Sequence, residues 1–410
     1  MASHIKTEIS PPPPLLGAFE NHVSPRRCLV VSALIGLVWL GLGVGDWFMR
    51  FHWFGWHRDF IVRTVTAPAD GVARTVTNSP LSGGDLSSLA AFPSAVLKYQ
   101  QERPAATNHF DSFGFRNVSP LLKHYPVVVV GDSYSTCGPC DEDTLPSQLA
   151  SILGVPVYDH AMAGRGTFWA IVRFFASERF RDNEPRVLIW PVIEREIAGG
   201  YFEGGLYQVL SAKSGTGTAG GSGIDWGQLN PKTLHQNLPN TSAFGLLSSR
   251  IWNRARYAMF GQLNPVVTPS ACDAAGGPML FYTEALMTER WSDDQRSVSQ
   301  LVHASSNLTA AAQQRGMSLL FVLVPDKERI YSDALPEYAR QNVRPTVLPD
   351  VEQRFRAAGL KVVNLLPAFQ SAAQHGELLY WRDDTHWDPA GVRLAAQIAA
   401  PEVRRLLNSP

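Results

Sequence analysis

The first strong pattern along the chain is an uninterrupted apolar block. Cys28 to Gly45 reads CLVVSALIGLVWLGLGVG without a charge, and Trp47, Phe48 and Met49 follow Asp46. As a helix, eighteen residues rise about 27 Å, close to the ~30 Å hydrocarbon core of a bilayer. Residues 28–49 therefore read as a transmembrane signal-anchor. A cleaved signal peptide is the rival reading, although no clean small-residue cleavage site directly follows Gly45, and a buried soluble helix is the third. Arg26 and Arg27 favour the cytoplasm for the leading end, an asymmetry weakened by Arg50, Arg58 and Arg63 close behind. Residues 1–27, with Pro11 to Pro14 in a row and almost no apolar periodicity, read as a disordered cytoplasmic tail. Residues 50–109, mixed and broken by prolines at 68, 80, 93 and 104, read as a membrane-proximal connector.

Organised alternation begins at Pro126. Val127 to Val130 is a continuous β-branched run stopping at Gly131-Asp132-Ser133, the pattern of a strand buried on both faces. Helical stretches are expected over 146–153, 168–180, 243–260, 298–315 and 348–358, and strands over 155–158, 187–190, 319–324 and 361–364. Asp388 as cap with Pro389 in the first turn opens a closing helix to about Ala399. Short apolar strands alternating with helices predict an α/β domain with a central, mainly parallel sheet, whose functional groups gather at the strands' carboxyl ends. The domain is expected to occupy 110–410, with insertions at 199–245, which is glycine-rich, and at 262–295.

Charge narrows the partners. Lys plus Arg and Asp plus Glu each number 36, and no basic run exceeds Arg26-Arg27, so a nucleic acid partner is not expected. Four cysteines are too few for a disulfide scaffold, and no histidine or cysteine spacing calls for a metal or another cofactor. Cys137 and Cys140, in CGPC, are expected to form a local disulfide; pairing of either with Cys272 is the alternative.

A serine hydroxyl attacks poorly unless an imidazole takes its proton and a third group orients that imidazole. Ser133, at the end of a buried strand, can meet His386, which has Asp384 and Asp383 two and three residues before it. The Ser133 and Gly164 N–H groups are candidate oxyanion donors. Arg165 is a candidate to bind an anionic group nearby, with a solvent-facing side chain as the alternative, and the pair Glu194-Arg195 should project over the same end of the sheet. Lys123 precedes the strand and belongs at its opposite end.

Gly131-Asp132-Ser133-Tyr134-Ser135 resembles the nucleophile block of the SGNH/GDSL hydrolase superfamily, with Gly164 similar to its oxyanion glycine. Asp384-Thr385-His386-Trp387 resembles the Asp-x-His-Trp signature of the alginate O-acetyltransferase-like branch. Trp190 with Glu194-Arg195, and Pro325-Asp326-Lys327 with Tyr331, fit two further blocks of that branch. The resemblance spans about residues 110 to 400 and implies an SGNH-like three-layer fold. It also implies a periplasmic domain on a single-pass inner-membrane anchor, which moves acetyl groups through an acyl-serine onto hydroxyls of an exported polysaccharide. The acetyl donor would be supplied by a multi-pass membrane acyltransferase. An esterase or deacetylase, and a noncatalytic polysaccharide-binding assembly protein, are the alternatives. Two departures stand out: in the alginate proteins the Asp-x-His block precedes the serine block, whereas here it follows, and Glu194 lies near the place of the superfamily's third-block asparagine. The superfamily's usual acid, three residues before the histidine, would be Asp383; the Asp-x-His signature selects Asp384, which we prefer. Tyr134, Trp169, Trp190, Tyr380, Trp381 and Trp387 are candidates for stacking on sugar rings, Trp387 foremost, and Lys327 and Tyr331 for contacting an acidic sugar.

Overall fold

The computed structural model describes residues 25–48, 71–78, 81–82, 84–90, 102–136, 138–161, 167–177, 179–197, 243–286, 294–343 and 346–409. Along the chain come helices α1 (Pro25–Phe48) and α2 (Asp85–Ala90), then strand β1 (Val127–Val129), α3 (Ser133–Thr136), α4 (Leu145–Leu153), β2 (Val157–Asp159) and α5 (Thr167–Ala176). After them follow β3 (Val187–Ile193), α6 (Glu194–Ile197), α7 (Ala243–Phe260), α8 (Asp294–Gln314), β4 (Ser318–Val324) and α9 (Lys327–Ile330). The chain closes with α10 (Val347–Ala357), β5 (Lys361–Asn364), α11 (Leu366–Gln374) and α12 (Pro389–Asn408).

The five labelled strands form one sheet in the order β5-β4-β3-β1-β2, every pair parallel. Each apolar run predicted as a strand became one, and β1 and β3 are buried along their whole length. This is the layered α/β arrangement expected: α12 packs on α4, and α8 on β4 and α10. β3 continues through Pro191 to Ile193, three residues further than its apolar run implied. The Ile189 carbonyl accepts from Val130 N on the β1 side (2.8 Å), so Pro191, two residues on, faces the same side. There β1 has already ended, and the missing N–H leaves no ladder bond unmade.

α12 also outruns its expected end and passes Pro401. Its buried stripe, Ala395, Ala396, Ala399, Ala400, Val403 and Leu406, keeps helical period beyond the proline and so rewards continuation. α11 was not anticipated. In the second insertion, Val267–Pro269 pairs antiparallel with Leu280–Tyr282; most of the first lies outside the described residues. The stretch read as a connector is built too: Arg74–Asn78 pairs with Ala106–Phe110, Leu81–Ser82 with Glu102–Arg103, and α2 buries Leu86. α1 contains the single span-length apolar helix among the described residues, Leu29–Asp46. None of that window is buried, with Leu29 72% and Trp39 71% exposed, which suits lipid and not water.

Candidate active site

The candidate nucleophile, Ser133, stands where β1 gives out. Val127 to Val130 are fully buried, the chain turns at Gly131, and Ser133 opens the one-turn helix α3. Gly131 is needed there for space: a Cβ would collide with the Ser135 side chain. Asp132 Oδ1 accepts from Tyr134 N (2.9 Å) and Asp132 O from Ser135 N (3.1 Å), fixing the turn.

The histidine loop, residues 380–388, is held from beneath. Tyr380 and Trp387 form an isolated antiparallel bridge, Trp381 N donates to His386 O (3.1 Å), and Asp388 caps α12 through Ala390 N and Gly391 N. Lys327 Nζ, wholly buried, donates to the carbonyls of Trp381 (2.6 Å), Arg382 (2.8 Å) and Asp384 (3.2 Å). Burial pushes its pKa down to about 8 against the attraction of Glu328, Asp383, Asp384 and Asp85. Tyr331 Oη donates to Glu377 O and accepts from Leu379 N, while Tyr380 Oη donates to Pro325 O.

Loop and turn meet in one relay. His386 Nε2 lies 2.7 Å from Ser133 Oγ, and His386 Nδ1 lies 2.6 Å from Asp384 Oδ1. Asp384 Oδ1 also accepts from His386 N (3.0 Å), so the acid grips both ends of the residue it serves. An ionised carboxylate only accepts, which puts the imidazole proton on Nδ1 and leaves Nε2 to accept from Ser133. Burial favours the neutral form of Asp384, but the attraction of His386 and Arg103 outweighs it and holds the carboxyl well below its usual range. Burial likewise opposes charge on His386; Asp384, by attraction and hydrogen bond, and then Asp85 prevail, raising the imidazole above its ordinary value.

Other proteins share this frame. The family described as SGNH hydrolase-like domain, acetyltransferase AlgX, matches residues 66–194 and 279–409, well over half of the chain. The chain belongs to that family. Among curated relatives, the probable alginate O-acetylase AlgJ of Pseudomonas syringae pv. tomato is 28% identical over 155 residues, 37% of this chain and 37% of the relative. The Pseudomonas aeruginosa AlgJ is 31% identical over 99 residues (24% and 25%), and that of Azotobacter vinelandii 23% over 158 (38% and 39%). The matched stretches thus span between a quarter and two fifths of those relatives' lengths.

As in the family signature, Asp384 and not Asp383 faces the imidazole. Asp383 Oδ2 instead accepts from Gly84 N and Ser87 Oγ, both at 2.9 Å. Most of the expected substrate contacts are internal. Tyr134, Trp190, Trp387 and Lys327 have no exposed surface, Tyr380 has none either, and Glu194 (3%) and Tyr331 (5%) have almost none. A sugar cannot stack on a ring that core atoms already cover: Trp190 meets Phe168 and Phe321, and Trp387 meets Tyr134 and Phe369. These residues build the site from behind. Glu194 Oε2 accepts from Asp326 N (3.2 Å). Tyr134 Oη donates to Thr385 O (2.6 Å) and accepts from Arg195 Nη1 (2.9 Å). Arg195 keeps 21% of its side-chain exposure and remains reachable. Gly164 and Arg165 lie outside the described residues, as do Cys137 and the side chain of Trp169. Cys140 carries a free thiol whose Sγ donates to Asp143 Oδ2 (2.6 Å), in place of the bridge expected with Cys137; Cys272 is free as well. Burial and that acceptor push the Cys140 pKa up to about 12, far from a reactive thiolate.

Three side chains escaped the sequence reading: Asp85, Ser87 and Arg103. Arg103 Nη2 donates to Asp384 Oδ2 (2.7 Å), and Asp85 accepts from Thr385 N (2.8 Å) and Thr385 Oγ1 (2.5 Å). No short motif marks them, because their partners lie almost 300 positions away. Side-chain ligand atoms of Asp85, Asp384 and His386 fall within 4.8 Å of one another, a spacing some cation sites share. Here the 2.6 Å contact of Asp384 with Nδ1 is a hydrogen bond, and the Arg103 guanidinium already neutralises the other Asp384 oxygen.

Proposed function

We propose that the protein is a membrane-anchored O-acetyltransferase that carries acetyl groups on Ser133 and delivers them to hydroxyls of an exported polysaccharide. The 2.7 Å approach of Ser133 Oγ to His386 Nε2 carries this reading, with the family membership supplying the reaction class. Ser133 Oγ attacks the acetyl carbonyl of the donor as its proton passes to Nε2. The Ser133 N–H, at the start of α3, and Gly164 N–H are the candidate donors to the oxyanion. The C–O or C–S bond to the donor breaks, and the leaving group departs with the proton from Nε2. A sugar hydroxyl then gives its proton to Nε2, attacks the acyl-serine and leaves as the acetyl ester, returning the proton to Oγ. Arg195, at the site's rim, is a candidate contact for an acidic polymer. By this reading the catalytic domain lies in the periplasm on the α1 anchor, and a multi-pass membrane acyltransferase delivers the acetyl donor.

One observation favours a second reading, hydrolysis: the serine block comes first here and the histidine block last, the order of ordinary SGNH hydrolases. Incubating the chain with an activated acetyl ester and candidate oligosaccharides separates the two. Acetylated sugar that disappears in Ser133→Ala supports transfer; free acetate without a sugar product supports hydrolysis.

A further inference from the structure

The segment between anchor and sheet is folded against the back of the catalytic acid. Gly84 sits so close that a Cβ there would come within 2.7 Å of Asp384 Oδ2, and Gly84 N and Ser87 Oγ bind Asp383. Asp85 N donates to Asp384 Oδ2 (3.3 Å), and Ser87 N to Asp383 O (3.2 Å). Arg103, its side chain 7% exposed, reaches Asp384 Oδ2 and lies over the Trp381 ring, 4.4 Å from its centroid. Asp85 Oδ2 lies 3.6 Å from His386 Nδ1. Every one of these contacts converges on residues 381–386, the loop that presents the imidazole.

We propose that Asp85 and Arg103 are positioning residues of the active site, so that the membrane-proximal segment completes the catalytic centre. Arg103 pins the outer oxygen of Asp384, leaving the inner one for Nδ1. Asp85 ties down Thr385 and sets a second negative charge beside the imidazole. The charged and titratable groups acting on His386 are Asp384 on its own loop, Asp85 on α2, Asp132 before α3, and Arg195 on α6. Arg103 and Lys327 act on it through Asp384. Burial, and then the charge of Asp384, push the Asp85 carboxyl up to about 7, so its charge is present in full only on the alkaline side of neutrality.

Asp85 acts on the imidazole by its charge and Arg103 by holding Asp384 against Nδ1, so the first sets the pH profile and the second kcat, which a purely structural role would not do. The inference rests on the acyl-serine reading, and the experiment keeps the two apart. kcat/KM for an activated acetyl ester is measured against pH for the full chain in detergent, in Asp85→Asn, Arg103→Gln, Arg103→Lys and Ser133→Ala. Asp85→Asn retains an acceptor for Thr385 but loses the charge, so the acid limb moves down by about half a pH unit or more. Arg103→Gln leaves the limb in place while kcat falls roughly ten-fold at little change in KM, and Arg103→Lys restores kcat. An Asp85→Asn limb that coincides with the wild type within about 0.2 unit, with kcat of Arg103→Gln intact, would overturn the inference while sparing the acyl-serine reading. Activity surviving in Ser133→Ala would overturn that reading itself. Should Arg103→Gln not fold by circular dichroism, the Asp85→Asn limb decides.

Discussion

Replacing Lys327 by methionine tests how far the active site depends on a residue that touches no substrate. The ammonium satisfies three buried carbonyls of the loop that carries Asp384 and His386, at 2.6, 2.8 and 3.2 Å. Methionine has similar length and volume, so little cavity is created, and the loss is of hydrogen bonds. Among the described residues only Asp384 O is left without a donor, at about 1–3 kcal/mol, while Arg382 O, which also accepts from Leu280 N (2.8 Å), and Trp381 O, which also accepts from Asp384 N (3.4 Å), each lose a charge-assisted bond worth about 1.5–3 kcal/mol. Relief from burying a charge offsets part of that, because burial already holds Lys327 at about 8. A net destabilisation of about 3–4 kcal/mol follows, with Tm lower by roughly 5–10 °C. Activity should fall further than stability, since a shift of about 1 Å in the loop can cost roughly a hundred-fold. Thermal melting in detergent and esterase rates at a temperature where the variant is folded measure both. A Lys327→Met protein melting within about 2 °C of the wild type, with unchanged kcat, would refute the argument that this ammonium holds the histidine loop.

The two neighbouring acids should separate by kind of defect: Asp384→Asn keeps the fold and loses up to about 10⁴ in kcat, whereas Asp383→Asn loosens α2 and lowers Tm with a smaller rate loss, read by kinetics and melting in parallel. Because His386 titrates above its ordinary 6.5, the acid limb of kcat/KM should lie above pH 6.5, activity falling as pH drops through the raised value; a limb below 6 would contradict the Asp384 pairing. The same raised pKa makes the His386–Asp384 interaction's contribution to stability complete below pH 6.5 and lost as pH rises through the folded-state value, measurable by denaturant titration across that window. Gly391→Ala should cost about 2–4 kcal/mol, since a Cβ there would strike the Leu379 carbonyl oxygen and approach Trp387 Cβ at 2.9 Å; a melting curve matching the wild type would be the contrary result.

What could be read from the chain was what depends on short-range pattern. The β-branched run before Gly131, the apolar runs at 187 and 319, and the Asp-Pro helix start all act within a few residues, and the structure shows each. The pairing of Ser133 with His386 was legible only because both blocks carry their own local signature and a parallel sheet sends strand ends to one edge. Strand β3 and helix α12 ran past prolines because burial on neighbouring elements, invisible in a local window, outweighed the local rule. The aromatic residues went astray for a different reason: the rings that would stack on a sugar have the same composition as rings that pack a core, and Trp190, Trp387 and Tyr134 proved to be core. Asp85 and Arg103 were illegible because nothing near them hints at partners 281 to 300 residues downstream.

The central claim is a covalent one, that the hydroxyl at Ser133 takes up the acetyl group. Brief reaction of the chain with an isotopically labelled acetyl ester, acid quench and peptide mass spectrometry test it directly. The account predicts label on the peptide containing Ser133, absent in Ser133→Ala and strongly reduced in His386→Ala; label on another residue, or label retained in Ser133→Ala, would contradict it.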